Sequence, residues 1–171
     1  EVLKSTQGRL LCGSSASFST VATDTRKPMN DSLFWALVGE AHDGHNYLKQ
    51  AIAAGAKGAV VHKLSIPIED MPSSFCVIEV GDTLLALQNL AKYWRSKFST
   101  KIIALTGSNG KTTCKEFTSQ ILQEKFNTLK SEGSFNNHWG VPMTLLQIPQ
   151  DADFAVIEMG MNHYFFVELP S

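Results

Sequence analysis

Residues 104–113 read ALTGSNGKTT: an apolar run gives way at Thr106 to two glycines, a lysine and two threonines. Those residue types at that spacing suit the binding of a nucleotide's phosphates. Gly107 and Gly110 permit backbone conformations closed to other residues, so the chain can wrap an anion and aim successive N–H groups at it. A helix starting near Lys111 would add its positive end. Lys111 would reach the β- and γ-phosphates, the hydroxyl of Thr112 would take a coordination position on Mg²⁺, and Thr113 offers a hydroxyl near the α-phosphate. Ser108 and Asn109 complete the loop. The strict phosphate-loop pattern asks for a further glycine five residues before Gly110, where this chain has Leu105. The competing interpretation is a plain glycine turn with an exposed lysine.

A Mg²⁺–nucleotide site also needs a carboxylate from a neighbouring strand. Glu158 closes the apolar run FAVI at 154–157 and would stand at such a strand end. A charge there is costly unless it is paired or binds a cation. Glu158 is therefore expected either to ligate the metal, or to pair with Lys111 or cap a helix. Lys111 and Glu158 are the candidate catalytic groups, and Thr112 and Glu158 the candidate metal ligands. The stretch GSFNNHWGVP at 133–142 sets Asn136 and Asn137 before a sharp helix start, a pattern that by itself suits an ordinary capped loop. DTRK at 24–27 reads most simply as an Asp–Arg ion pair. HDGH at 42–45 has too few donors nearby in sequence for a metal centre.

The elements that must position these residues follow from periodicity and punctuation. The first forty residues lack helical periodicity and are rich in Ser, Thr and Gly. A buried strand is expected over 32–39, and a helix followed by a short strand over 46–63. A further strand covers 75–80, and Asp82-Thr83 can cap an amphipathic helix running to about residue 98. A domain boundary is placed at 98–100. The second part then reads as strand 101–105, helix 111–125, strand 127–130, a helix begun by Pro142 and strand 154–159. Alternating strands and helices predict an α/β fold with a parallel sheet and ligands at the carboxyl ends of its strands.

The 171 residues allow one medium domain or two small ones, and the 43% hydrophobic content suffices for a core. Fifteen basic and sixteen acidic side chains nearly cancel, so no global field favours nucleic acid or an anionic membrane. Three cysteines without CxxC spacing suit a reducing compartment, and no run approaches membrane-spanning length, so a cytoplasmic location is expected. The chain opens on Glu1, and earlier residues of the gene product are expected to precede it.

Taken together, four ordered blocks resemble the Mur ligase family, which adds amino acids to the peptidoglycan precursor using ATP. They are TDTRKPMNDSLFWALVGEAHDGHNYLKQAIAAGAKGAVV, TGSNGKTT, GSFNNHWGVPMTLL and VIEMGMNH. That family carries TGxxGKT, so Leu105 matches its usual form. The match is to the branch that joins D-alanyl-D-alanine to UDP-N-acetylmuramoyl-tripeptide through an acyl phosphate. The resemblance implies a small amino-terminal α/β substrate domain at 1–98, followed by a truncated P-loop-type parallel α/β central domain at 99–171. It implies that Asp24, Thr25, Arg26, Asp43, Gly44 and His45 receive the uridine-diphosphate end of the substrate. It also implies that Gly107 to Thr113 hold ATP, that Glu158 binds Mg²⁺, and that Asn136, Asn137, Asn162 and His163 line the reacting cleft. After His163 the family continues Pro-Gly-Glu-Ile, whereas this chain reads YFFVELPS. The family's carbamylated lysine, a later metal-binding histidine and its carboxyl-terminal domain have no counterpart. The resemblance thus implies an incomplete ligase, inactive alone or acting as a non-catalytic uridine-nucleotide and ATP-binding module. Its last strand, short of neighbours, is expected to leave an exposed sheet edge.

Overall fold

The computed structural model describes residues 1–14, 16–133 and 135–160. The chain divides into two compact units, Glu1–Leu90 and a second from Ala91 onward. Among the described residues no helix is long and apolar enough to cross a membrane.

The first unit is a five-stranded sheet with helices. Helix α1 (Val2–Thr6) leads into β1 (Arg9–Cys12), β2 (Thr20–Ala22) and β3 (Ser32–Trp35). A 3-10 turn at Gly44–Tyr47 runs into α2 (Leu48–Ala53), followed by β4 (Gly58–Val61), a second 3-10 turn at Ile68–Asp70, β5 (Cys76–Glu79) and α3 (Thr83–Arg95). The sheet order is β1-β5-β4-β3-β2, with β2 to β5 mutually parallel and β1 antiparallel at one edge. The central strands β3 and β4 are buried at every position, as parallel strands covered on both faces must be. Phe34, Ala36, Leu48, Ala51, Ala59, Val61 and Val77 close the core. Trp35 is wholly buried, and its indole N–H donates to the carbonyl of Thr83 at 2.6 Å, which satisfies its one polar atom.

The strand expected over 32–39 stops at Trp35. Beyond it the chain folds back on itself: the N–H of Gly39 donates to His42 O at 2.8 Å, and that of Gly44 to Leu37 O at 2.7 Å. Of the apolar residues 36–38, Ala36 is buried while Val38 is exposed, so the apolar run outlasts the strand and enters a turn. The short elements α1, β1 and β2 lie in the stretch that lacks helical periodicity, because elements of three to five residues are too brief to show a period.

The division between units falls inside α3, eight to ten residues before the boundary expected at 98–100. Ala91 packs with the second unit's core beside Val141, Leu145, Ile148, Ala155 and Ile157. In that unit β6 (Lys101–Leu105) is followed by α4 (Lys111–Gln123), β7 (Thr128–Lys130), α5 (Gly140–Leu146) and β8 (Phe154–Glu158). All pairings are parallel, in the order β6-β8-β7.

That order corrects the expected exposed edge. β8 lies between β6 and β7, paired from Phe154 to Glu158 with β6 and from Phe154 to Val156 with β7. Its residues Ala155, Val156 and Ile157 are buried. Parallel strands need crossover connections, so the last strand in sequence is free to enter the middle of the sheet. Pro142 is likewise not the first residue of its helix: α5 begins at Gly140, and the proline sits within the first turn, where no helical N–H bond is lost.

Truncating Phe34 to alanine in the first unit's core should lower unfolding free energy by about 3–5 kcal/mol. The drop is read from the urea midpoint at unchanged m-value.

Candidate phosphate and metal site

The glycine turn lies between β6 and α4, at the carboxyl end of its strand. Gly107 has φ +135° and Gly110 φ +77°, and an added Cβ at either would meet nothing within 4 Å. Glycine is required there by conformation, not by crowding. Gly110 caps α4 without a side-chain bond, so the amides of the first helical turn face the loop. Ser108, Asn109, Thr112 and Thr113 are exposed along it. The ammonium of Lys111 turns back over the loop and donates to the carbonyl of Gly107 at 2.7 Å.

Glu158 stands at the carboxyl end of β8, beside Leu105 of β6. It is 2% exposed. The hydroxyl of Thr112 donates to its Oε2 at 2.9 Å, and the amide of Asn136 donates to its Oε1 at 2.8 Å. Its own N–H donates to the hydroxyl of Ser131 at 3.1 Å. The expected alternative of a Glu158–Lys111 ion pair does not form, because the lysine is engaged by its own loop. Among the described residues this buried carboxylate is answered by neutral donors, a threonine hydroxyl on one oxygen and an amide on the other, and the carboxylate and hydroxyl together form a hard-oxygen donor set that suits Mg²⁺. Thr112 and Glu158 are therefore the residues that would hold the cation.

The other anticipated residues divide. Asn136 joins the site: besides its bond to Glu158, its carbonyl accepts the N–H of Gly160 at 2.7 Å. Asn137 faces away from that role, since its Oδ1 accepts the N–H of Gly140 at 2.8 Å and starts α5, the capping use that the loop pattern alone suggested. Asn162 and His163 lie outside the described residues. Ser131 was not anticipated, and its signal was slight: a hydroxyl one residue past a strand. Lys115 was missed as well, although it follows Lys111 by one helical turn; it is wholly buried and donates to the carbonyl of Gly133 at 2.8 Å.

In the first unit, Asp24 and Arg26 flank half-buried Thr25 after β2. The guanidinium clasps its neighbour's carboxylate through two bonds of 2.8 Å while 88% of the arginine side chain stays exposed. That arginine holds the Asp24 carboxyl at about 2, below the usual carboxylate range. Asp43, Gly44 and His45 form a different arrangement. His45 is wholly buried, and its Nε2 accepts the N–H of His62 at 3.0 Å, which leaves the proton on Nδ1 to be donated to Asp43 at 2.5 Å. Asp43 also accepts the N–H of His45 and pairs with Lys63 at 2.8 Å. A Cβ on Gly44 would come within 2.7 Å of Leu37 O. Both ring nitrogens of His45 are occupied within the fold, so the triplet braces its loop.

A glycine loop between an outer strand and helix α4 of an all-parallel sheet makes the second unit an α/β unit. The Mur ligase middle domain matches residues 105–168. The UDP-N-acetylmuramoyl-tripeptide–D-alanyl-D-alanine ligase of Bacillus subtilis (strain 168) is 46% identical over 142 residues, covering 83% of this chain and 30% of that protein. A crystal structure of MurF from Acinetobacter baumannii superposes with a TM-score of 0.84 at 38% identity, over 95% of this chain and 35% of that one. MurF from Thermotoga maritima, solved in complex with ADP, gives 0.71 at 24% identity over 84% of this chain and 32% of that one, a likeness in fold. The chain belongs to the Mur ligase family. It spans about a third of the length of the curated relatives it matches.

Burial pushes the His45 imidazole below its ordinary value, against the opposing pull of Asp43. Between that lowered value and about 6.5 the unfolded chain binds more protons, so stability is full above about 6.5 and falls as pH drops through this window. Urea melts from pH 7.5 to 5 should show that decline for the first unit. A His45→Asn chain should show a flatter pH profile over the same range.

Proposed function

We propose that this chain carries the ATP-loop and uridine-nucleotide portions of a ligase that joins D-alanyl-D-alanine to UDP-N-acetylmuramoyl-tripeptide in peptidoglycan precursor synthesis. The observation that carries the reading is the approach of Thr112 and Asn136 to buried Glu158 beside the Lys111 loop. In the reaction so assigned, a carboxylate oxygen of the tripeptide attacks the γ-phosphorus of ATP and ADP leaves. The amine of the dipeptide then attacks the acyl carbon, an amide bond forms and phosphate departs. Bound Mg²⁺ would offset charge on the phosphoryl oxygens. Lys111 exchanges its bond to Gly107 O for the phosphates, Thr112 and Glu158 present oxygens to the cation, and Asn136 orients the carboxylate. The loop at 24–26 presents an exposed Arg26 toward the diphosphate end of the other substrate, and Asp43 to His45 hold the neighbouring loop rigid.

The competing reading is a module that binds the uridine nucleotide and ATP without chemistry. Phosphate release with all substrates and Mg²⁺ separates the two, since only the ligase reading allows substrate-dependent turnover.

Calorimetry tests the shared core of both. Wild type should bind ATP in a Mg²⁺-dependent manner. Lys111→Ala should weaken that binding about 10- to 100-fold, the worth of a charge-assisted bond. Glu158→Gln should remove the Mg²⁺ dependence while metal-free nucleotide still binds. A wild-type chain indifferent to ATP with Mg²⁺ would overturn the assignment.

A further inference from the structure

We propose that Lys115 is a positioning residue for the Glu158 carboxylate, acting through the segment that joins β7 to α5; the proposal rests on the reading of Glu158 as the Mg²⁺ ligand. Lys115 is 0% exposed, a costly setting for an ammonium unless its protons are answered. Two partners answer it: the carbonyl of Gly133 at 2.8 Å and Oε1 of Glu116 at 3.5 Å. The other oxygen of Glu116 pairs with Lys130, the last residue of β7. The segment is thus fastened to α4 at its start and again at Gly133. Three residues further on, Asn136 makes its bonds to Glu158 and Gly160.

The chain between Gly133 and Asn136 spans at most about 10 Å. The N–H of Phe135 donates to the carbonyl of Glu132 at 3.2 Å, and this bond across the bend couples the two positions. Gly133 holds φ +50°, where an added Cβ would meet nothing within 4 Å, so this is a left-handed bend chosen for its direction. The residue is otherwise exposed. Without the ammonium its carbonyl would turn to water rather than remain buried and unpaired. The fold then survives and the fastening is lost, which separates a positioning role from a role in the core.

Lys111 and Lys115 stand one helical turn apart, and each holds a loop carbonyl, Gly107 O and Gly133 O. Between them in sequence, Thr112 reaches Glu158. One helix thereby sets the glycine loop, the metal hydroxyl and the segment bearing Asn136. Nothing in the ligase chemistry assigned above requires a second lysine on this helix, and the geometry supplies its use.

The test compares wild type, Lys115→Met and Lys115→Arg as whole chains, by three measurements. These are thermal melting, the Mg²⁺ concentration for half-maximal ATP binding, and hydrogen exchange at the Gly160 amide, which donates to Asn136 O. Methionine keeps the stem's volume and removes the donor. It should raise the Mg²⁺ midpoint about tenfold, the effect expected when a metal ligand's support is lost. It should leave metal-free ATP affinity unchanged and speed Gly160 exchange, with the arginine chain nearer wild type on both readouts. An unchanged Mg²⁺ midpoint with unchanged Gly160 protection in Lys115→Met overturns the proposal. So does loss of cooperative melting in both variants, which would make Lys115 a residue of the fold as a whole. Absence of Mg²⁺-dependent ATP binding in wild type removes the functional reading and this proposal together, and is distinguished because it appears before any substitution.

Discussion

The second unit is organised around one electrostatic constraint, a carboxylate carried at the end of a buried strand. Glu158 follows three buried residues of β8 and is itself shielded from solvent, with a hydroxyl and an amide as its side-chain partners. Neutral donors orient a carboxylate without cancelling its charge, so the site keeps its attraction for a cation. The partners come from two places: Thr112 from the first turn of α4, and Asn136 and, at the backbone N–H, Ser131 from the segment that joins β7 to α5. Placing β8 between β6 and β7 brings the carboxyl ends of all three strands to one side. That placement is what allows α4 on one side and the β7–α5 segment on the other to reach Glu158.

Much of this was legible from residue types. Two glycines before Lys-Thr-Thr announced a loop whose backbone needs positive φ, and the structure has it at both glycines. A glutamate closing an apolar run announced a charge with a purpose. What the sequence could not convey was partner choice. Lys111 and Glu158 are opposite charges in neighbouring motifs, yet Lys111 bonds to a carbonyl four residues back, a local contact that costs little chain ordering. The position of β8 within the sheet was hidden for a related reason. Strand order in a parallel sheet depends on crossovers, and hydrophobic runs carry no record of which strand lies beside which.

The first unit shows the same limit from the other side. Asp43, Gly44 and His45 are chemically expressive residues in a tight sequence, and such a triplet invites a binding role. Their geometry is that of a brace: the histidine ring lies between a carboxylate and a backbone N–H, and the glycine leaves room for Leu37 O. Asp24 and Arg26, by contrast, combine a fixed clasp with an exposed guanidinium. Polar residues of one motif can therefore divide between holding a loop in shape and facing outward from it. Burial separates the two uses, and burial is a property of the fold.

Helix α4 shows the same constraint in which of its sides is buried. Phe117 and Ile121 are four residues apart and would ordinarily mark the face turned inward, yet they are 62% and 72% exposed. The buried positions are Lys115 and Ser119, also four apart, the serine hydroxyl bonded to Lys115 O at 2.7 Å. A helix placed for burial of apolar surface alone would turn the other way, since two large apolar side chains outweigh a serine and a buried ammonium. Its rotation is set instead by Thr112 at one end and by the carbonyl that Lys115 reaches. Those two contacts fix which side of the helix meets the sheet and the β7–α5 segment. On α4, the residues that serve the site and the residues that are buried thus share one side of the helix.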